Sequence, residues 1–165
     1  MSVNVYRPHV IVLPEDDANR EIVNGFLLDP SLQIRAIQVL PVAGGWVKVR
    51  SEFEASHTQQ LRKYPARHLV LLIDFDGHEA CRRESFLEVI PSDVRERVYL
   101  LGTRDEPEPL REECGISLEN VGGQLAHSCA RGEVGLWGHM MLQHNQAEVD
   151  RLIQNVKPFL FKFPA

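Results

Sequence analysis

A chain of 165 residues, 44% of them hydrophobic, has the length and make-up of one globular domain. Its formal charge of −5 argues against a nucleic-acid coat protein, and no stretch approaches the ~20 apolar residues of a membrane span. Cys81, Cys114 and Cys129 are too few and too irregular for a disulfide framework. The opening MSVNVYRPHV carries no signal-peptide pattern, so the expected location is cytoplasmic.

His9–Leu13 (HVIVL) reads as a first strand that Pro14 ends. Glu15, Asp16 and Asp17 follow, and Asp16 or Asp17 can cap a helix over Ala18–Leu28. Ile22, Val23, Phe26 and Leu27 give that helix one apolar face, and Asp29-Pro30 stops it. A second strand is expected over Ile34–Val42, with Gly44-Gly45 after it. Trp46–Lys63 predicts a helix with an exposed charged face, broken before Pro65. The run His68–Ile73 is almost wholly apolar, as in a strand buried on both faces, and Asp74-Phe75-Asp76-Gly77 follows at once. Glu79–Ile90 predicts a helix with Cys81, Phe86, Leu87 and Ile90 inward, and Pro91-Ser92-Asp93 a helical turn. Arg97–Leu101 is the fourth strand, ending in Gly102-Thr103-Arg104-Asp105. Strands and helices alternating four times mark an α/β fold with a mostly parallel four-stranded sheet and helices on both faces.

The remainder reads as a helical extension. Helices are expected over Pro107–Glu113, stopping at Gly115, and over Leu118–Ala130 behind Ser117, interrupted at Gly122-Gly123. Trp137–Gln143 is a short one, and Gln146–Val156 is amphipathic and ended by Pro158. Phe159, Phe161 and Phe163 alternate in the tail, as in an edge strand or a docked segment, and closing the protein's own core is the plainer use for them.

In a parallel sheet all strand carboxyl ends share one edge, where ligands bind. Strand one brings Glu15, Asp16 and Asp17 there, strand three Asp74 and Asp76, strand four Asp105, Glu106 and Glu108. Asp74 and Asp76 are two apart, so an extended chain points both the same way. Two readings stand for them: a helix cap and a turn residue, or a pair of carboxylates held together by a cation. Oxygen-only ligands suit Mg²⁺ or Mn²⁺ rather than zinc.

These residues resemble the Toprim domain of topoisomerases, bacterial primases and the overcoming-lysogenization-defect nucleases. That family has a glutamate after its first strand and D-x-D after its third, matched by Glu15 and Asp74-Phe75-Asp76. A hydrophobic strand entering a Gly-Gly turn, as in VLPVAGGWVKV, is shared with the last branch. The likeness implies a Toprim-like core over residues 8–113 and an extension over 114–165 within one domain. It further implies Mg²⁺- or Mn²⁺-dependent hydrolysis of DNA or RNA, with Glu15, Asp74 and Asp76 catalytic and metal-binding. Asp17 and Glu108, with Glu21 on the Asp17 helix face, are candidates for a second ion. Gly44, Gly45, Lys48 and Arg104 are candidate phosphate contacts. A homodimer or protein partner would help a chain this small grip its substrate, and no membrane is expected. Asp16 stands where the family often has glycine, and Asp17 where several members have lysine.

Two rival readings stay open. A phosphoacceptor receiver domain would use Asp74 as acceptor, Thr103 after strand four and Lys157 of Lys157-Pro158-Phe159. A non-catalytic Toprim-like subunit would use the aromatic tail for docking. Zinc is a poor fit for Cys114, His127, Cys129, His139 and His144, whose spacings match no standard finger. The basic group Arg62, Lys63, Arg67 and His68 precedes strand three and belongs at the edge away from the acids.

Overall fold

The computed structural model describes residues 2–162. Four strands, β1 (His9–Pro14), β2 (Ile37–Val39), β3 (Arg67–Asp74) and β4 (Val98–Thr103), form one sheet in the order β2-β1-β3-β4, every pairing parallel. Its helices are α1 (Asp17–Phe26), α2 (Trp46–Glu52), α3 (Thr58–Lys63), α4 (Glu79–Leu87), α5 (Pro107–Cys114), α6 (Leu118–Arg131), α7 (Gln146–Asn155) and α8 (Lys157–Leu160). The fold is α/β with a helical C-terminal segment.

Side-chain alternation divides the core. Ile11, Leu13, Leu69, Leu71 and Ile73 face Val49, Phe53, Leu61 and Phe86 of the α2–α4 layer. Val10, Val12, Val70, Tyr99 and Leu101 face Val23 of α1 and Val149, Val156 and Leu160 of α7–α8. The central strands are therefore buried on both sides, as their unbroken apolar runs require. α6 forms an outer layer, packing Val121 and Leu125 with Ile22.

Several sequence expectations need correction. The second strand is three residues long, because Ile34–Ala36 winds into a 3₁₀ turn and Pro41 has no N–H to donate. The helix expected over 46–63 is present as α2 and α3 joined by a π turn over Phe53–His57. On α4, Cys81 is exposed and Leu87 half exposed. The inward stripe is instead Phe86 with the stems of Arg82 and Arg83, whose guanidiniums lie 4.4 Å over Trp46 and 4.9 Å over Phe75. Gly122-Gly123 does not interrupt α6. There the missing side chain lets α6 cross α1: a Cβ on Gly122 would stand 1.7 Å from Ile22 O. Over 137–143 there is no α-helix but parts of two 3₁₀ turns, Gly135–Gly138 and Gln143–Asn145, and Pro158 opens α8 rather than ending a helix. Phe161 bridges antiparallel to Leu32 and is buried, so this part of the tail closes the protein's own core; Phe163 lies outside the described residues.

The outer side of β4 is dressed by side chains. Glu148 accepts the Leu100 N–H, and Arg83 donates to Leu100 O. Arg151 donates to Val98 O, and His144 Nε2 bonds Gly102 O at 2.7 Å. Asn145 serves both groups of Gly102, accepting its N–H at 3.1 Å and donating to its O at 2.9 Å. Asn145→Ala will orphan the buried Gly102 N–H, while Gly102 O keeps His144, and cost about 1–3 kcal/mol in urea unfolding; a change under ~0.5 kcal/mol would deny Asn145 that role.

Candidate functional site

Register decides which acids meet. Pro14 pairs with Leu72, so the residues that leave β1 pass the last residues of β3. The Glu15 N–H donates to Leu72 O at 2.8 Å, and Glu15 Oε2 accepts the Asp74 N–H at 2.6 Å. Carboxylate oxygens of Glu15, Asp16 and Asp74 all lie within 4.8 Å of one another. Glu15 is 8% exposed and Asp74 6%, while Asp16 is half-buried. Asp16 is the N-cap of α1: its Oδ1 accepts the Asn19 N–H at 3.0 Å and Asn19 Nδ2–H at 3.1 Å.

This packing is electrostatically costly without a counter-charge. Burial, then the Asp16 and Glu15 carboxylates, push the Asp74 carboxyl up to about 8. Burial also raises Glu15, against the hydrogen bond from the Asp74 N–H. Asp74 Oδ1 is buried and has no hydrogen-bond partner. An orphaned buried carboxylate oxygen beside two more carboxylates is a donor set that a hard divalent cation satisfies.

Asp76 is placed differently. β3 ends at Asp74, and Asp76 has φ +48°, so strand alternation does not extend to it. It is exposed, and its Oδ2 takes Arg82 Nη1–H at 3.1 Å. The same Nη1 donates to Asp74 O at 2.6 Å. Arg82 thus ties the turn down beside the acids and lowers the Glu15 carboxyl against its burial. Nor does the structure gather the expected second group. Asp17 is 82% exposed and pairs with Arg20 at 3.0 Å, and Glu21 and Glu108 are exposed.

The glycine turn does reach the site. The Gly44 N–H donates to Glu15 O at 2.8 Å, and φ of +96° and +143° at Gly44 and Gly45 holds the chain in a turn that favours glycine. Exposed Lys48 folds back over it, with Nζ 3.5 Å from where a Gly44 Cβ would stand. From the other side, Arg104 O accepts the Gly77 N–H at 2.8 Å, and the exposed Arg104 side chain rests on Asp105 at 3.2 Å. Lys157, in contrast, lies by Gly132 at the end of α6, and its neighbour Leu160 bonds the Gln33 N–H. That is the sheet end opposite Asp74, so the lysine of the receiver reading is not beside the acceptor. Of the basic group at the start of β3, Arg62 forms a bidentate pair with Asp93 and Arg67, the first residue of the strand, bonds His9.

Sequence reasoning brought Asp16 to the acidic edge without naming it as a ligand, and missed Asn19 and Arg82 as supports of the acid group. Asp16 was legible as a cap, and a cap after β1 necessarily sits at the carboxyl edge. Arg82 carried no such signal, since it lies in the middle of a charged helix. Compared with protein-family models, curated proteins and solved structures, the chain matches none. Among the described residues no helix is long and apolar enough to cross a membrane.

Proposed function

We propose that the protein hydrolyses phosphodiester bonds in DNA or RNA with Mg²⁺ or Mn²⁺ held by Glu15, Asp16 and Asp74. The observation that carries this reading is the buried, unpartnered Asp74 Oδ1 among three converging carboxylates. When bound, the cation supplies Lewis-acid stabilisation of the phosphate and acidifies water. The chain's own residues do the rest. Asn19 orients Asp16 through two hydrogen bonds to Oδ1, leaving Oδ2 free as a ligand. The Asp74 N–H fixes Glu15 Oε2. Lys48 over the Gly44-Gly45 turn and Arg104 across the mouth are the cations positioned to meet a phosphate backbone. Asp76 is held on the rim by Arg82 and belongs to the mouth rather than to the ligand set.

Titration supplies the test. The folded Asp74 keeps a proton up to about pH 8, whereas its ordinary value is 3.8. Between those values the folded chain binds more protons than the unfolded one, so cation-free stability falls as pH rises. A cation replaces that proton, so its benefit grows with pH. Melting curves with millimolar Mn²⁺ should show a larger rise in Tm at pH 8 than at pH 6. An Mn²⁺ effect absent at both values, or larger at pH 6, removes the basis for the reading.

A further inference from the structure

Positive charge in this acidic chain is gathered away from the acids. The segments entering the four parallel strands share the amino edge of the sheet, opposite Asp74, and β3 alone puts roughly 25 Å between the two edges. They bring Arg7 before β1, Arg35 before β2, and Arg62, Lys63 and Arg67 at the entry to β3. Register sets these side by side. His9 pairs with Arg67, and Val10 with Ile37, so Arg35 falls level with Pro8. Buried His9 bridges two of the arginines: its Nδ1–H donates to Arg7 O at 2.7 Å, and its Nε2 accepts from Arg67 Nε–H at 3.0 Å. Arg97 fastens the entry to β3 by donating to the carbonyls of Leu61, Tyr64 and Arg67.

The acids of this edge are mostly spent. The same segments carry Asp29, Glu88, Asp93 and Glu96. Asp29 bonds Ser31, Glu88 pairs with Arg50 at 3.6 Å and Asp93 with Arg62. Arg7, Arg35 and Lys63 are exposed, and no carboxylate among the described residues pairs with them. Aromatic rings lie among these cations. Tyr64 has Lys63 Nζ 5.3 Å and the Arg67 guanidinium 4.9 Å from its ring centre, and Tyr6, next to Arg7, is 87% exposed. A ring that open contributes little to the fold. Unpaired cations around an open ring fit a chain of phosphates with free bases between them: phosphates meet the charges, and a base covers the ring. A duplex keeps its base faces stacked on one another and offers the ring nothing. We propose that this edge binds single-stranded nucleic acid, with Arg7, Arg35 and Lys63 on phosphates and Tyr6 stacked on a base. The surface needs no cation and stands whether or not the acids cleave the strand.

The probe is a fluorescein-labelled single strand of about 12 nucleotides, as DNA and as RNA, titrated with the full chain in EDTA and followed by anisotropy. Wild-type protein should bind it more tightly than the matching duplex, and the logarithm of affinity should fall linearly with the logarithm of salt. Arg7→Gln, Arg35→Gln and Lys63→Gln should each weaken binding and flatten that slope by about 0.7. Tyr6→Ala should weaken binding about fivefold or more without changing the slope, and Tyr6→Phe should bind as wild type. Arg111→Gln makes the same charge change on exposed α5 and should alter neither quantity. All these side chains are exposed, so each variant keeps the fold. No binding at low salt, a preference for duplex, indifference to Tyr6→Ala, or an Arg111→Gln effect equal to the others would overturn the proposal. Capture by phosphatidylserine vesicles without binding of either oligonucleotide would overturn it in favour of a membrane surface. Intact binding by a protein that fails to cleave with Mn²⁺ would support this edge and count against the hydrolysis alone.

Discussion

On the proposed metal-dependent hydrolysis, Asp74→Asn should reduce nucleic-acid cleavage by orders of magnitude and leave the cation-free fold as stable as wild type or more so. The two effects have one cause. Asp74 is buried against Glu15 and Asp16, and its carboxyl is pushed up to about 8. Below that value the folded carboxyl must hold a proton that the unfolded one has released; an amide folds without that cost, and the substitution also removes a proposed metal ligand. Glu15→Gln should behave alike, since an amide oxygen still accepts the Asp74 N–H. Asp76→Asn should cost much less activity, because Asp76 pairs with Arg82 on the rim. The measurement is cleavage of single- and double-stranded DNA and RNA with Mn²⁺, alongside melting curves for each variant. Full activity in Asp74→Asn would take these acids out of the reaction, and wild-type protein inert on all four substrates, alone and with cell extract, would favour the non-catalytic reading.

The second large effect is structural. Gly122→Ala should destabilise the protein by more than about 3 kcal/mol, beyond ordinary core overpacking. A Cβ on Gly122 meets the backbone of α1 at Ile22 O, and one on Gly25 meets Glu119 O, each at 1.7 Å. Both obstacles are carbonyls within helices, which cannot rotate away as a side chain would. Gly123→Ala is the control: its Cβ would lie 3.8 Å from Gly25 O, an ordinary contact, and alanine favours a helix by about 1 kcal/mol over glycine. Urea unfolding of the two neighbours should therefore give opposite signs. Similar small effects in both would mean that the α1–α6 crossing relaxes easily.

The apolar runs of β1, β3 and β4 were legible because a parallel sheet buries both faces and leaves no polar interruptions. His68–Ile73 needed only an extra residue at each end to become β3. What sequence could not fix was where extended geometry stops. Asp74 and Asp76 were expected to point together, and the turn after β3 separates them through a single positive φ. The meaning of Gly122-Gly123 was equally hidden, since a helix breaker and a close helix crossing ask for the same residue. Two of the three acids that meet, Glu15 and Asp74, were among the expected ligands, because those two are fixed by backbone hydrogen bonds at strand ends. Asp16 joined it through a cap, and Asp17, one residue later, points to solvent on α1.

Parallel sheets with open borders invite further strands, from another copy or from an unfolded neighbour. At β4 such an invader would have to evict Glu148, Arg83, Arg151, His144 and Asn145, each already bonded to the strand's backbone. At the opposite border β2 offers three residues and then Pro41, too little for a stable ladder. Both borders thus disfavour edge-to-edge pairing of copies, one because side chains occupy it and the other because it is short, which leaves helix surfaces and loops as the more open routes to self-association.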